Sequence, residues 1–353
     1  MDCFLNIDAS EGGQIFRNSL AFSALTGKAV EITHIREQRN NPGLKRQHLA
    51  ALNIMRTLTK AKVKGARLDS TFVSFEPSAY KGGNYALNIG SAGSINLLLQ
   101  SLMLPSLKEE TKLRVSGGTD VPFSPTYIYT KEILLPSLSR MSASFSLELL
   151  SRGYYPEGNG TINFHSKRAK VLSPITISEK GTLKKISIYS HCASLQKQVA
   201  LNQISAAKKI LLESFGDDAH IEEHIDCRET SGARGSGIDI IAHFEKSKIA
   251  SNALGIKGKD AVSTGLEAAK KLVDEINKGA PIDRHLADQL IPFAAIAKGK
   301  SEFLCPSVTN HLKGAIKTAE LFLGITSCIK EEKLGDNAVF KVSIEGKGVE
   351  LND

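Results

Sequence analysis

Tryptophan is absent from the 353-residue chain, and aromatic residues make up only 6% of it. An aromatic platform that stacks the bases of a single strand is therefore not evident. Cysteine is scarce too: Cys3, Cys192, Cys227, Cys305 and Cys328 are scattered, and no two form a CxxC pair. That spacing argues for a reducing compartment and against a zinc ribbon or a disulfide framework. Long apolar runs are also missing. The most apolar stretch, "INLLLQSLMLPSL" (95–107), is too short and too polar to cross a bilayer, so no membrane partner is expected. The run "MDCFLNIDASEGG" has an acid at position 2 and no basic stretch, so no secretory signal is expected and a cytoplasmic protein is.

What is present reads as a folded protein. Charged residues at 23% and hydrophobic ones at 41% are ordinary values, and the length suffices for one large core or two domains. The net charge of +8, with a pI near 9.1, leans towards a polyanionic partner, RNA or DNA.

Residues 1–180 alternate short strand-like and longer helix-like stretches. "CFLNID" reads as a strand, "GGQIFRNSLAFSALTG" as a helix closed by Gly27, and "AVEITHI" as a second strand. "PGLKRQHLAALNIMRTLTKA" reads as a helix opened by Pro42. The step recurs through "NYALNIG", "SAGSINLLLQSLMLP", "TKLRVSGG" and "SPTYIYTKEILLPSLSRM", without a residue-level repeat. The pattern predicts an α/β fold with helices on one face of mixed sheets, used more than once. The polar, basic stretch at 167–186 looks like a boundary. Beyond it, 184–278 reads as a self-contained βαββα unit inserted into a larger domain formed by 1–183 and 279–353.

Several constellations carry chemistry. The strand-to-helix loop "DASEGGQIFR" has two glycines that let backbone N–H groups approach a phosphate. In it Glu11 is a candidate cation ligand, and Arg17 faces the anion from one turn on; a plain tight turn is the bland reading. "THIREQRNNPGLKRQHL" gathers Arg36, Arg39, Lys45, Arg46 and His48, a cluster able to position a phosphate backbone or equally a solvated helix start. "NIGSAGS" and "VSGGTDVPFSP" add two more small-residue turns, and the three together suggest a shared ligand crevice. "HIEEH" matches an H-x-x-E-H zinc spacing, but the alternation around it reads as a turn and a strand, where His220 and His224 lie about 13 Å apart. In "SVTNHLKGAIKTAELFLG" (307–324), Asn310 is the expected N-cap, with Leu312, Ile316, Ala319 and Leu323 at helical spacing behind it. That puts His311 in a first helical turn, where a neutral imidazole can meet an anion.

In this order the pieces resemble the RNA 3′-terminal phosphate cyclase family over nearly the whole chain. The carriers are "EGGQIFRNSLAFSALTG", "NPGLKRQHLAAL", "IGSAGSINLLLQSLMLP", "VSGGTD", "RGYYPEGNG", "DRHLADQLIP" and the helix at His311. The resemblance implies a large domain of three βαβαββ-like units, with a smaller α/β domain inserted before the last. It implies ATP-dependent nucleotidyl transfer through a covalent histidine–AMP and an RNA(3′)pp(5′)A end to a 2′,3′-cyclic phosphate.

By position, the resemblance makes His311 the nucleophile and Glu11 the carboxylate for a divalent ion, Mg²⁺ or Mn²⁺. It places Arg17, Arg39 and Gln47 at the phosphate and RNA end, Gln100, Asp288 and Gln289 near the ATP, and Pro125 and Tyr129 at the adenine. Two departures stand out: a first turn "SEGGQ" shorter than the family's G-E-G-G-G-Q, and "HLKGA" where the family carries His-x-x-Thr-Asn. The rival is a non-catalytic, cyclase-like RNA-binding or ribosome-assembly factor. Such relatives lack the histidine and the first-turn acid, so the presence of Glu11 and His311 argues for an enzyme. The oligomeric state is left open, a homodimer included.

Overall fold

The computed structural model describes residues 4–228 and 232–351. Cys3, at the head of the first expected strand, lies outside them, as do Glu229, Thr230 and Ser231 at the "RETSGARGSG" break.

The first unit is β1 (Leu5–Asp8), α1 (Gly13–Thr26), β2 (Val30–Thr33), α2 (Arg46–Thr59), β3 (Lys62–Lys64) and β4 (Val73–Glu76). β1 and β2 pair in parallel, and the sheet order is β1-β2-β4-β3 with the remaining pairs antiparallel. The second unit repeats this topology. It comprises β5 (Gly83–Asn88), α3 (Ile95–Met103), β6 (Thr111–Gly117), α4 (Tyr127–Tyr129), α5 (Leu135–Ser139), β7 (Phe145–Ser151) and β8 (Gly160–Ser166), in the order β5-β6-β8-β7.

The third unit opens with the two-residue β9 (Thr176–Ile177) and is then interrupted. The interruption is a compact unit of β10 (Leu183–Ala193), α6 (Gln198–Phe215), β11 (Ile221–Arg228), β12 (Gly235–Phe244), β13 (Lys248–Leu254) and α7 (Ala261–Asn277). The third unit then resumes with α8 (Arg284–Ile296), β14 (Lys298–Cys305), α9 (Asn310–Leu323), β15 (Ser327–Leu334) and β16 (Asn337–Lys347). Its order, β15-β16-β14-β9, is the same scheme again, with β9 parallel to β14.

The inserted unit thus falls inside the third repeat rather than before it. The basic stretch expected to be a boundary contains that repeat's first strand, too short to announce itself by period. The insert reads βαβββα, one strand more than expected: β13 pairs antiparallel with β12 as an edge of the sheet.

Apolar faces join the three repeats into one core. Phe22 of α1 stacks on Phe322 of α9 with centroids 5.5 Å apart, and Phe145 lies 5.9 Å from Phe164 and 6.3 Å from Phe293. Each of the fully buried rings is worth about 1.5–3 kcal/mol of burial, and Phe145, partly buried, less. The insert has its own core, with Ile188, Ile204, Ile240 and Leu272 between its sheet and the paired helices α6 and α7. Side chains alternate across β12, so Ile240 faces that core while Ile241 joins the large one.

Two expected details differ. Pro42 does not open α2, which begins at Arg46 behind an extended Lys45 cap. Gly43 intervenes at φ 76, and a Cβ there would meet Asp69 O at 2.3 Å, so the helix cannot begin before it. The single helix expected near 127–139 contains a π-turn at Thr130–Leu134, beside Pro136, which has no N–H to continue the regular ladder. Among the described residues no helix is long and apolar enough to cross a membrane.

Candidate active site

The first strand-to-helix loop and the start of α9 meet, although they lie at opposite ends of the chain. Gly13 begins α1 where a Cβ would stand 2.4 Å from His48 Nε2 and 3.2 Å from Arg17 Nη1. His48 is buried in the first turn of α2 and accepts the Lys45 N–H at 3.1 Å, so it cannot swing aside. Glycine here lets the loop press against α2. Arg39 lies across the loop and donates through Nε to Glu11 O at 3.1 Å.

On the other side, α9 is capped by Thr309, not Asn310. Thr309 has an extended backbone, and its hydroxyl accepts the Leu312 N–H at 3.0 Å, which moves the helix start one residue earlier than expected. His311 remains in the first turn.

His311 Nδ1 lies 2.5 Å from Gln14 Oε1, and Gln14 Nε2 donates to Asp288 Oδ2 at 2.6 Å. An amide oxygen only accepts, so the imidazole proton sits on Nδ1. Nε2 keeps its lone pair and has no protein partner among the described residues. Gln14 is the residue that the sequence did not single out: it stands in the quoted "EGGQ" run, but nothing in spacing announces that its amide spans α9 and α8.

The surroundings keep the imidazole neutral. Burial pushes the His311 pKa down, Arg17, Arg39 and His285 push the same way, and Glu11 opposes. Burial also raises the Asp288 carboxyl to about 7, against the Gln14 bond and Arg17. It lowers Arg17 to about 10 and, with Arg17, Arg36 and Lys45 nearby, His48 to about 3. Arg17 is a buried cation whose Nε has no hydrogen-bond partner. Glu11, Gly12, Gln14, Arg39, Asn310 and His311 line a cleft of about 210 Å³. A neutral imidazole, an exposed carboxylate and the Arg39 guanidinium therefore line the same cleft.

A family model described as RNA 3′-terminal phosphate cyclase matches residues 9–329. The chain belongs to the RNA 3′-terminal phosphate cyclase family, a family of enzymes. It is 37% identical to the protein named RNA 3′-terminal phosphate cyclase of Desulfurococcus amylolyticus, over 98% of each chain. It is 39% identical to that of Methanococcoides burtonii, over 97% of this chain and 100% of the relative, and 40% identical to that of Caldivirga maquilingensis, over 96% and 97%. A solved EPSP synthase from Acinetobacter baumannii covers 97% of this chain and 66% of its own at 13% identity, with a TM-score of only 0.30.

Within this cyclase-family fold the other residues singled out from sequence scatter. Gln47 Oε1 accepts the Ser94 N–H at 3.0 Å, and Arg46 donates to Gly90 O at 2.8 Å, so the start of α2 holds the second glycine turn. That turn bonds to the third through Gly118 N–H to Gly93 O at 2.9 Å, and a Cβ on Gly118 would stand 2.6 Å from Ala92 O. The second and third glycine turns serve close backbone packing; the cleft walls come from the first turn, the Gln38–Arg39 segment and α9.

Gln100 is partly buried in α3, and the Pro125 carbonyl accepts from Asn96 Nδ2 at 2.9 Å. Tyr129 lies in the core, and its hydroxyl donates to Asp283 Oδ1 at 2.7 Å. The same oxygen caps α8 by accepting the His285 and Leu286 N–H groups, so Tyr129 acts on the helix that carries Asp288. Gln289 donates to His285 O at 2.8 Å, and its buried Oε1 is without a hydrogen-bond partner.

"HIEEH" ends in β11. His224 stacks on Tyr189 at 4.5 Å, and both His220 and His224 lean towards Glu222 rather than Glu223, whose partner is Lys208. Among the described residues the one group with metal-ligand spacing is Asp120, His191 and Asp239, all buried. These atoms already serve each other. Arg152 donates to Asp120 and Asp226 at 2.8 Å each, Tyr154 Oη lies 2.7 Å from His191 Nδ1, and His191 Nε2 lies 3.3 Å from Asp239. The cluster is a joint between the second unit and the insert, and the Arg152 guanidinium already neutralises Asp120. For a divalent ion, exposed Glu11 offers one oxygen in the cleft, a donor set that suits Mg²⁺ completed by phosphates and water.

Proposed function

We propose that this protein uses ATP to convert an RNA 3′-terminal phosphate to a 2′,3′-cyclic phosphate, with His311 Nε2 as the nucleophile. The observation that carries the reading is the Gln14–His311 bond, which fixes the proton on Nδ1 and leaves Nε2 facing the cleft shared with Glu11 and Arg39.

Nε2 attacks the α-phosphorus of ATP, a P–N bond forms and pyrophosphate leaves. The imidazole is then cationic, and its Nδ1–H remains bonded to the Gln14 oxygen, with the Asp288 carboxylate behind it. An oxygen of the RNA 3′-phosphate next attacks the same phosphorus, breaking the P–N bond and giving RNA(3′)pp(5′)A. The neighbouring 2′-OH loses its proton and attacks the 3′-phosphorus, closing the ring and releasing AMP. Arg17 and Arg39 hold phosphate oxygens, and Glu11 would hold a divalent ion that screens charge on the triphosphate.

Gln47 acts by holding the Gly90–Ser94 turn at the RNA end. Gln100, Pro125, Tyr129 and Gln289 are assigned to the nucleotide side, Tyr129 through α8 rather than by contact. Residues 184–278 form a separate inserted domain, and the reaction is placed in the cytoplasm.

The test is incubation with α-labelled ATP and Mg²⁺ or Mn²⁺, wild type beside His311→Ala, followed by denaturing electrophoresis. Acid-labile label should stay with wild type, be discharged by RNA bearing a 3′-phosphate, and be absent from the variant. Folded wild-type protein that takes no label with either metal would replace this reading with a non-catalytic RNA-binding factor.

A further inference from the structure

Cys192 and Cys227 are far apart in sequence but lie on β10 and β11 as direct register partners of a parallel pair. Their sulfurs stand 2.8 Å apart, inside ordinary non-bonded contact, and both are free thiols. Adjacent strands run about 4.8 Å apart, within the 4.4–6.8 Å Cα separation a disulfide spans, so the register is compatible with a bond between them. β11 is an edge strand of its sheet, which leaves Cys227 partly exposed, whereas Cys192 is fully buried behind it. One accessible thiol and one buried resolving thiol is the arrangement of a dithiol that oxidises in sequence.

We propose that Cys192 and Cys227 are a redox-active pair, converted by a small-molecule disulfide of the glutathione type into an intramolecular disulfide across β10 and β11. The Cys227 thiolate attacks one sulfur of the oxidant, forming a mixed disulfide and releasing one small thiol. Cys192 then loses its proton and attacks Cys227 Sγ. The protein S–S bond forms, and the second small thiol leaves. Two protein thiols are oxidised, and one disulfide is reduced to two thiols.

The order follows from the surroundings. Burial, then the contact with Cys227, pushes the Cys192 thiol up to about 12, so it is the poorer first attacker. The remaining cysteines among the described residues have no such neighbour: Cys305 is buried in β14 and Cys328 exposed in β15.

The location gives the bond a consequence. Cys192 follows His191, and Cys227 lies between Asp226 and Arg228. Asp226 receives Arg152 at 2.8 Å, and Arg228 donates to Leu150 O at 2.6 Å. The disulfide therefore cross-links two of the three strands, β10 and β11 beside β12 with its Asp239, that carry the insert's side of its joint with the second unit. Neither thiol has a role in the proposed nucleotidyl transfer.

The experiment uses the full chain, incubated with oxidised glutathione, denatured, alkylated and measured by intact-mass and peptide mass spectrometry. Wild type should become two hydrogens lighter, lose two alkylation sites and yield one cross-linked peptide joining Cys192 to Cys227. Cys192→Ala should instead hold one glutathione on Cys227, and Cys227→Ala should leave Cys192 unmodified in the folded protein. A wild type that keeps both thiols alkylatable while a small dithiol in the same tube is oxidised would overturn the proposal. So would a cross-link through any other cysteine.

Discussion

Two histidines in this protein each sit within a carboxylate network, and they differ in what is left over. At His191 both ring nitrogens are engaged, Nδ1 by Tyr154 and Nε2 by Asp239, inside a buried joint also held by Asp120 and Arg152. At His311 one nitrogen is tied to Gln14 and the other is free, at the wall of a cleft. A fully engaged, buried network stabilises a single arrangement and has no atom to offer a substrate. A half-engaged one is oriented by the bond it makes and reactive through the bond it lacks. The more convincing metal-like cluster is the mortar, and the sparser one is the candidate centre.

The sharpest way to break this comparison is to damage the joint and ask whether stability falls as the contrast requires. Arg152→Ala leaves the fully buried Asp120 carboxylate without its partner and should cost about 3–5 kcal/mol, read as a large fall in denaturation midpoint. His311→Ala, at the wall of the cleft, should change stability far less, by about 0.5 kcal/mol. Comparable losses in the two variants would remove the distinction.

A smaller effect, on rate, is expected from the residue that orients the imidazole. Gln14→Leu keeps the volume but removes both bonds, and should slow formation of the proposed histidine–AMP by about 10–100-fold without abolishing it. In wild type the acid limb of that rate should fall below pH 6.5, because burial and Arg17 hold the His311 pKa below its ordinary 6.5. A wild-type limb above 6.5, or an unchanged Gln14→Leu rate, would show that this bond does not set the nucleophile.

The smallest effect concerns Asp288. Its carboxyl is raised from 3.8 to about 7 by burial, so the folded state holds a proton that the unfolded chain releases above about 4. Stability from this group therefore declines as pH rises from about 4 through 7. Asp288→Asn removes the dependence, so its Tm relative to wild type should rise between pH 5 and pH 8. Parallel melting curves across that range would show that Asp288 does not titrate there.

Much of the architecture was legible because helices carry their period in the sequence: α1, α3 and α9 fall close to where the apolar spacing put them, and the insert has the two helices its order called for. The short strands β3 and β9 and the edge strand β13 were not, since a few residues give no period. The centre was half legible. His311 and Glu11 stand in recognisable runs and share the cleft, whereas Gln14 matters only through partners that folding brings to it. The three glycine turns looked alike in sequence because backbone crowding and ligand approach both demand glycine, and only contacts tell them apart. The cysteine pair was hidden for a similar reason: parallel register, not spacing, made Cys192 and Cys227 neighbours.

The bond from Gln14 to His311 joins residues 297 positions apart, and the one from Gln14 to Asp288 spans 274. Contacts of such separation close only after the chain entropy of everything between them has been overcome, which makes them late events in folding. A nascent or truncated chain can complete its first two repeats and still lack an oriented His311. Under the proposed reaction, competence to take up AMP therefore waits for the last helix.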